Sequence, residues 1–421
     1  LTVGRGLAGF LACVLLSVGS NSTSMAAADT WEPTWVDDPH LAAVPRTEAE
    51  SIRIDAAVPP TRHYTKSETY EARPAGAATV RARTDRNAFS EASANISFED
   101  ELNFKVGNGL FRKLWVAAPA STRASDGLGP LYNARSCQRC HLKDGRGHPP
   151  ETAEDNAISM FLRVSIPASS TQDAEMEAKI AEYIATAAKP NYGRQFQDFG
   201  LPGHSAEYRF SVEYEEFQVD LSEGETATFR RPVYKAADLG YGPLHPEAML
   251  SPRVAPQMIG LGLLEAIPAA DILANADPDD VDRDGISGRP NVVWSMEYDR
   301  PMLGRFGLKA GMPTIREQNA GAFAGDIGIS NPIMRAGWGE CTDKQVDCRR
   351  HPDGADPQDD DLEIGETAFD LVTFYARNLG VPARRDIDDP DVLRGKQVFY
   401  ETRSEDRRVG KECRSRWSPY H

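Results

Sequence analysis

The sequence predicts a mainly α, loop-rich chain in which helical units flank a mixed α/β insert that contains strands. Three observations carry that expectation. Apolar residues recur at helical spacing toward both ends, at Phe98, Leu102 and Val106 and again at Leu371, Tyr375 and Leu379. Between them, Tyr208, Phe210, Val212 and Tyr214 alternate as strands do, and so do Phe217, Val219 and Leu221, with the turn-like "SEGET" after them. Finally, "VGNGLF" and "RGKQVF" echo each other, placing Gly107 four residues before Phe111 and Gly395 four residues before Phe399. A glycine and an aromatic ring one helical turn apart let two helices cross closely, so two related units are expected.

Taken in order, residues 1–28 have the pattern of a secretory signal. Arg5 is the one charge before an apolar run at Leu7–Val18, and small residues follow up to Ala28. Residues 29–95 are rich in Pro, Glu, Asp and Arg and predict an extended leader. The first unit is expected over 96–170, with Ser97 capping its first helix and Asp100 in the opening turn. The insert spans 171–339. Within it, Met176, Ile180 and Ile184 share a face of a helix expected over 176–189 and stopped by Pro190. The start of a second unit covers 340–402, where Gly380 and Pro382 end the Leu371–Leu379 helix.

Hydrophobic residues make up 40% and charged residues 26%, with a net charge of -16. That balance excludes a basic nucleic-acid footprint and suits steering of a small basic partner. Export predicts an oxidising, periplasmic location, with no membrane attachment once the signal is cut.

The chemistry lies in "SCQRCH". In Cys137-x-x-Cys140-His141 the two thiols match the two vinyl groups of a haem, and the following imidazole meets the iron. Zinc would need a second Cys/His pair of similar spacing, which the sequence lacks. A thiol redox pair would not need the adjacent histidine. One haem c is therefore expected in this chain. For the sixth iron position the candidates are Met258 in "VAPQMIG", Met249, and His245 in "GPLHPEAM"; a core methionine and a surface turn remain open for them. Asp280, Asp282 and Asp284, then Gly285 and the carbonyl of Ile286, form the front half of an oxygen-ligand calcium loop. Position 12 is Asn291, so this is no EF-hand, and a solvated acidic turn stays open. Glu265 in "GLLEAIP" is a candidate distal acid or a buried structural carboxylate. Cys341 and Cys348 are spaced to allow a local disulfide.

Several long blocks resemble the di-haem oxidoreductase family, whose members are also described as thiol oxidoreductases or peroxidases and are related to bacterial di-haem cytochrome c peroxidases. They include "ASDGLGPLYNARSCQRCHLKDGRGHPP", "SPRVAPQMIGLGLLEAIP", "GAFAGDIGISNP" and "FYARNLGVPARRD". The resemblance covers roughly residues 75–402 and implies cytochrome c-like haem units, two haems in the intact protein, and calcium between them. It implies peroxidase-like electron transfer from a small redox protein such as a cytochrome c. An electron carrier without turnover is the alternative. Nothing in the residues supports thiol oxidation. The family pattern has a second Cys-x-x-Cys-His after "GKQVFYET". Here "RSEDRRVGKECRSRWSPYH" follows instead, with six basic and three acidic residues in an acidic chain. Residues 403–421 resemble a translated sequencing adapter, so the second haem site is expected to be lost by truncation.

Overall fold

A computed structural model of the chain describes residues 37–42, 47–57, 61, 63–152, 155, 158–167, 186–281, 283, 285 and 287–402. The expected signal, the tail, residues 176–185 and the loop positions Asp282, Asp284 and Ile286 lie outside the described residues.

The helices with a core role are α1 (Asp100–Phe111), α2 (Cys137–Cys140), α3 (Leu261–Glu265), α4 (Ile315–Ala322) and α5 (Glu366–Arg377). The π-helical turn Phe323–Ile327 continues α4. Helix α6 (Pro390–Glu401) follows. The principal strands are β1 (Met160–Pro167), β2 (Thr186–Ala187), β3 (Arg209–Asp220), β4 (Thr226–Ala237) and β5 (Met249–Val254). Strand β1 lies between β2 and β5, antiparallel to both, and β3 pairs with β4 as a long hairpin.

The mainly α, cytochrome c-like expectation is corrected here. Helices account for 28% of the chain and strands for 20%, although the strand-containing insert is present. The physical reason is that apolar alternation persists over more of the chain than the sequence reading allowed. Strand β1 buries Met160, Leu162, Val164 and Ile166 in strict alternation, and β3 and β4 each run for 12 residues. The frequent glycines and prolines also keep many helices to a turn or so, as in α2 and α3. Of the helix expected over 176–189, the described residues Thr186–Ala187 are instead extended, paired with Ile166 and Pro167.

Helix α1 begins as expected: the amide of Asp100 donates to Ser97 Oγ at 3.1 Å. Its buried face is not the expected one. Phe98 is 84% and Leu102 66% exposed, while Phe104, Gly107 and Phe111 are buried. Both sets recur at helical spacing, and Gly107 decides between them. A Cβ there would lie 2.2 Å from the Leu371 carbonyl oxygen and 2.8 Å from Tyr375 Cβ. Only glycine allows α1 and α5 to cross this closely. At Gly395, by contrast, a Cβ would meet nothing within 4 Å, so the echo of the first motif makes no such crossing.

The main core gathers Phe104, Phe111, Trp115, Phe323, Phe369 and Tyr375 around that crossing. Helix α5 thus completes the core that α1 begins. A second cluster of Leu162, Val164, Tyr192, Phe196 and Tyr208 lies under the root of the β3–β4 hairpin. Among the described residues no helix is long and apolar enough to cross a membrane.

Candidate haem site

Cys137 and Cys140 bracket α2, a single helical turn, so their side chains fall on one face. Neither is disulfide-bonded. The Cys140 thiol donates to the Ile158 carbonyl at 3.2 Å. Burial, reinforced by the charge of Asp326, pushes the Cys137 thiol up to about 12. The same two causes push Cys140 up, with Cys137 and Asp198 adding to them. Both sulfurs are therefore held as thiols. Thiol–disulfide exchange needs a thiolate, so the pair is poorly suited to it. Among the described residues no three His, Cys, Asp or Glu side chains are arranged to hold a metal ion, which leaves the motif without a zinc-type donor set.

His141 is aimed by its backbone partner. Its Nδ1 lies 2.8 Å from the Pro256 carbonyl oxygen. A carbonyl only accepts, so Nδ1 carries the proton and Nε2 keeps its lone pair. Burial lowers the affinity of this ring for a second proton, opposed by Pro256 and by Asp144. The Pro256 segment is itself pinned. Gly147 donates to the Ala255 carbonyl, Ala255 to that of Ser159, and Met258 to that of Asp144, each at 2.9 Å. Phe111 packs with its ring centroid 6.2 Å from that of His141. A neutral imidazole with a free Nε2, one turn after two unoxidised thiols and beside an aromatic core, is the donor set a covalently attached haem requires. The residues present fit the group.

The loop after His141 carries a supporting network. Lys143 and Asp144 adopt left-handed φ values of 53° and 60°, a turn that directs Asp144 inward. Its carboxylate accepts from Ser90 Oγ at 2.5 Å and Tyr375 OH at 2.6 Å. Asn108 of α1 donates to the Tyr375 hydroxyl oxygen at 2.7 Å. One buried tyrosine therefore ties the motif loop to both crossing helices.

Sequence reasoning missed a buried acidic cluster beside the thiols. The amides of Asn133 and Ala134 donate to the Asp326 carbonyl at 2.8 and 3.0 Å, which docks the π-helical turn against the residues leading into Cys137. Gln195 donates to Asn133 Oδ1 at 2.6 Å and to Asp326 Oδ1 at 2.7 Å. The Gln197 side chain donates to the Gly325 carbonyl at 2.8 Å, and its amide to Glu207 at 2.7 Å. Gln345 also donates to Glu207, at 2.5 Å. Burial pushes Asp326 and Asp198 each up to about 6 and Glu207 up to about 8. Buried oxygens of Gln195, Gln197 and Asp198 lack a hydrogen-bond partner. No local sequence signal marked it; the structure shows a π-helical turn at Phe323–Ile327, a feature that concentrates at functional sites.

The remaining candidates are dispersed. Met258 is buried in the main core, its amide bonded to Asp144 on the His141 side of the site. His245 sits in a turn where its Nδ1 accepts from the Glu247 amide at 3.2 Å, and Met249 opens β5. Glu265 is buried and structurally engaged: Arg377 Nε donates to it at 2.5 Å and the Ile315 amide at 2.8 Å. Asp280 accepts from the Gly285 amide at 2.9 Å. Cys341 and Cys348 are joined as a disulfide with their Cα atoms 6.2 Å apart.

No curated protein and no solved structure matches the chain. The model of one family, described as di-haem oxidoreductase, putative peroxidase, matches residues 69–406. That span covers most of the chain and contains the thiols, His141 and the acidic cluster, and the protein belongs to the di-haem oxidoreductase family.

Proposed function

We propose that this is an exported, peroxidase-like c-type haem oxidoreductase that passes electrons from a small donor such as a cytochrome c to a substrate such as hydrogen peroxide. The observation that carries the reading is the His141–Pro256 hydrogen bond, which frees Nε2 one turn after two unpaired thiols. In this reading Cys137 and Cys140 hold the haem and His141 binds its iron. When bound, the haem supplies the electron-accepting and electron-donating centre.

The chain's own residues supply the rest. Pro256 fixes the imidazole tautomer and orientation. Asp144 and Tyr375 hold the motif loop against α1 and α5. Reducing a peroxide to water consumes protons as well as electrons. Asp326, Asp198 and Glu207, with pKa values raised by burial into or near the neutral range, are suited to donate them. Glu265, held between Arg377 and the Ile315 amide, is assigned a structural role.

The sequence holds one Cys-x-x-Cys-His, so one haem c is proposed for this chain. A calcium ion at Asp280, Asp282, Asp284 and the Ile286 carbonyl, and a periplasmic location, complete the proposal.

The test is expression with a working export and haem-maturation system. A pyridine haemochrome spectrum and a one-haem mass increase are expected, and both should vanish in the Cys137→Ala/Cys140→Ala variant. Peroxide-dependent oxidation of reduced cytochrome c by the haem-loaded protein is the expected activity. Covalent haem without turnover would leave only an electron carrier, and no covalent haem would refute the reading outright.

A further inference from the structure

Strand β1 sends its residues to two faces in strict alternation. Leu162 and Val164 are buried in the cluster under the hairpin root, so Phe161 and Arg163 take the other face. Strand β5 sets Arg253 opposite Phe161 and Ser251 opposite Arg163. Arg253 therefore shares the face of Arg163 as its diagonal neighbour, with Cβ atoms roughly 7 Å apart. The pairing continues past the end of β5, where the Ala255 amide donates to the Ser159 carbonyl at 2.9 Å. Ala255, two residues on from Arg253, lies on the same face, and it packs with Cys140 and Ala134. One residue further, the Pro256 carbonyl holds His141 Nδ1. The two arginines thus stand on the sheet face that leads to Cys140.

Neither guanidinium is neutralised by a contact. Among the described residues, neither Arg163 nor Arg253 makes an ion pair or a side-chain hydrogen bond, and Arg253 Nε is buried without a partner. Arg163 lies over the Phe161 ring, its guanidinium carbon 5.8 Å from the centroid. Its charge reaches Asp326, whose Oδ1 already accepts from Gln195. Burial, then the charge of Arg163, pushes Arg253 down to about 10, so it stays cationic at neutral pH. Two like charges side by side, one with a buried donor unsatisfied, are costly in a folded chain. Acidic residues are not scarce here, since the net charge is -16, yet none is placed against this pair. An anion that is not part of the chain completes such a site. The planar guanidinium fits a carboxylate through two parallel N–H bonds.

We propose that Arg163 and Arg253 bind the propionate carboxylates of the haem attached at Cys137 and Cys140. The assignment rests on the haem reading above and adds the cations that hold the group's two acids. Positive charge at that place also favours the reduced iron, so the pair tunes the potential.

The test is spectroelectrochemical titration of the haem-loaded protein, with resonance Raman spectra of the propionate bending modes. Arg253→Gln and Arg163→Gln should each shift the ferric/ferrous equilibrium about tenfold toward ferric, about 59 mV in midpoint potential, and should move the propionate band. Arg253→Lys keeps the charge without the fork, so the potential should hold while the band still moves. Arg231→Gln, the same charge change on the exposed β3–β4 hairpin, should alter neither. Arg163→Gln, at a half-buried position, and Arg253→Lys keep the test decisive if Arg253→Gln fails to fold. Covalent haem with potential and band unchanged in the Arg163 and Arg253 variants overturns the assignment and leaves the haem reading standing. An equal shift in Arg231→Gln overturns it too, as an effect of net charge. A wild type without covalent haem overturns the haem reading and this assignment together.

Discussion

Replacing Gly107 by alanine should destabilise the protein, and the same change at Gly395 should not, although the two glycines sit in matching sequence contexts. A Cβ at position 107 falls 2.2 Å from a carbonyl oxygen and 2.8 Å from Tyr375 Cβ. Ordinary contact with the oxygen is roughly 3.3 Å, so α1 and α5 must part by about 1 Å. The atoms met are backbone and a Cβ, neither of which can rotate away. Overpacking of this kind costs about 3 kcal/mol, and alanine's better helix propensity returns about 1 kcal/mol. The net loss is about 2 kcal/mol, a factor of roughly 30 in the folding equilibrium. At Gly395 there is open space within 4 Å, so only the propensity gain of up to about 1 kcal/mol remains. Urea unfolding of both variants, followed by circular dichroism with the slope held to the wild-type value, measures the difference. A Gly107→Ala protein as stable as wild type, or a Gly395→Ala protein that loses as much, would refute the crossing as the determinant.

Further outcomes follow from the buried polar groups. In the native state Asp326 and Asp198 retain protons up to about pH 6 and Glu207 up to about pH 8, whereas the unfolded chain releases them near pH 4. Their contribution to stability is therefore complete below about pH 4 and is lost as pH rises through those values, on the order of 3 kcal/mol for each aspartate and about 5 kcal/mol for Glu207. Glu207→Gln should flatten that fall between about pH 5 and pH 8 in thermal melts, and an unchanged slope would count against it. Tyr375→Phe removes the hydroxyl that donates to Asp144 and accepts from Asn108. It should cost about 2 kcal/mol in denaturant unfolding. Glu265→Ala leaves Arg377 and the Ile315 amide without their partner and should cost roughly 3 kcal/mol. Its haem content per folded molecule should be unchanged; loss of haem or peroxide turnover in the folded fraction would return Glu265 to a direct role.

The clustering of Cys137, Cys140 and His141 was legible because it is local. Two thiols and an imidazole within five residues fall on one helical turn whatever surrounds them. The capping of α1 by Ser97 was legible for the same reason. The buried face of that helix was not. Phe98, Leu102 and Val106 satisfy the same periodicity as Phe104, Gly107 and Phe111, and spacing alone cannot say which row meets a neighbour. Only the approach of α5, more than 250 residues later, made Gly107 indispensable. The hairpin misled in a related way. The apolar phase shifts between Tyr214 and Phe217, which reads as two strands, yet the chain runs through as one strand whose apolar side turns outward.

By itself the sequence determined the family to which the chain belongs and the presence of a strand-containing insert, since each rests on residues close together along the chain. Tertiary structure alone decided the balance of helix and strand, the carbonyl that orients His141, the pairing of Glu265 with Arg377 and the acidic cluster beside the thiols. Gln195 and Asp326 are 131 residues apart, and His141 and Pro256 are 115 apart. Contacts across such separations arise from how packed elements meet, and the energetic consequences of burial, including a carboxyl group that keeps its proton near neutral pH, exist only once water has been excluded around them.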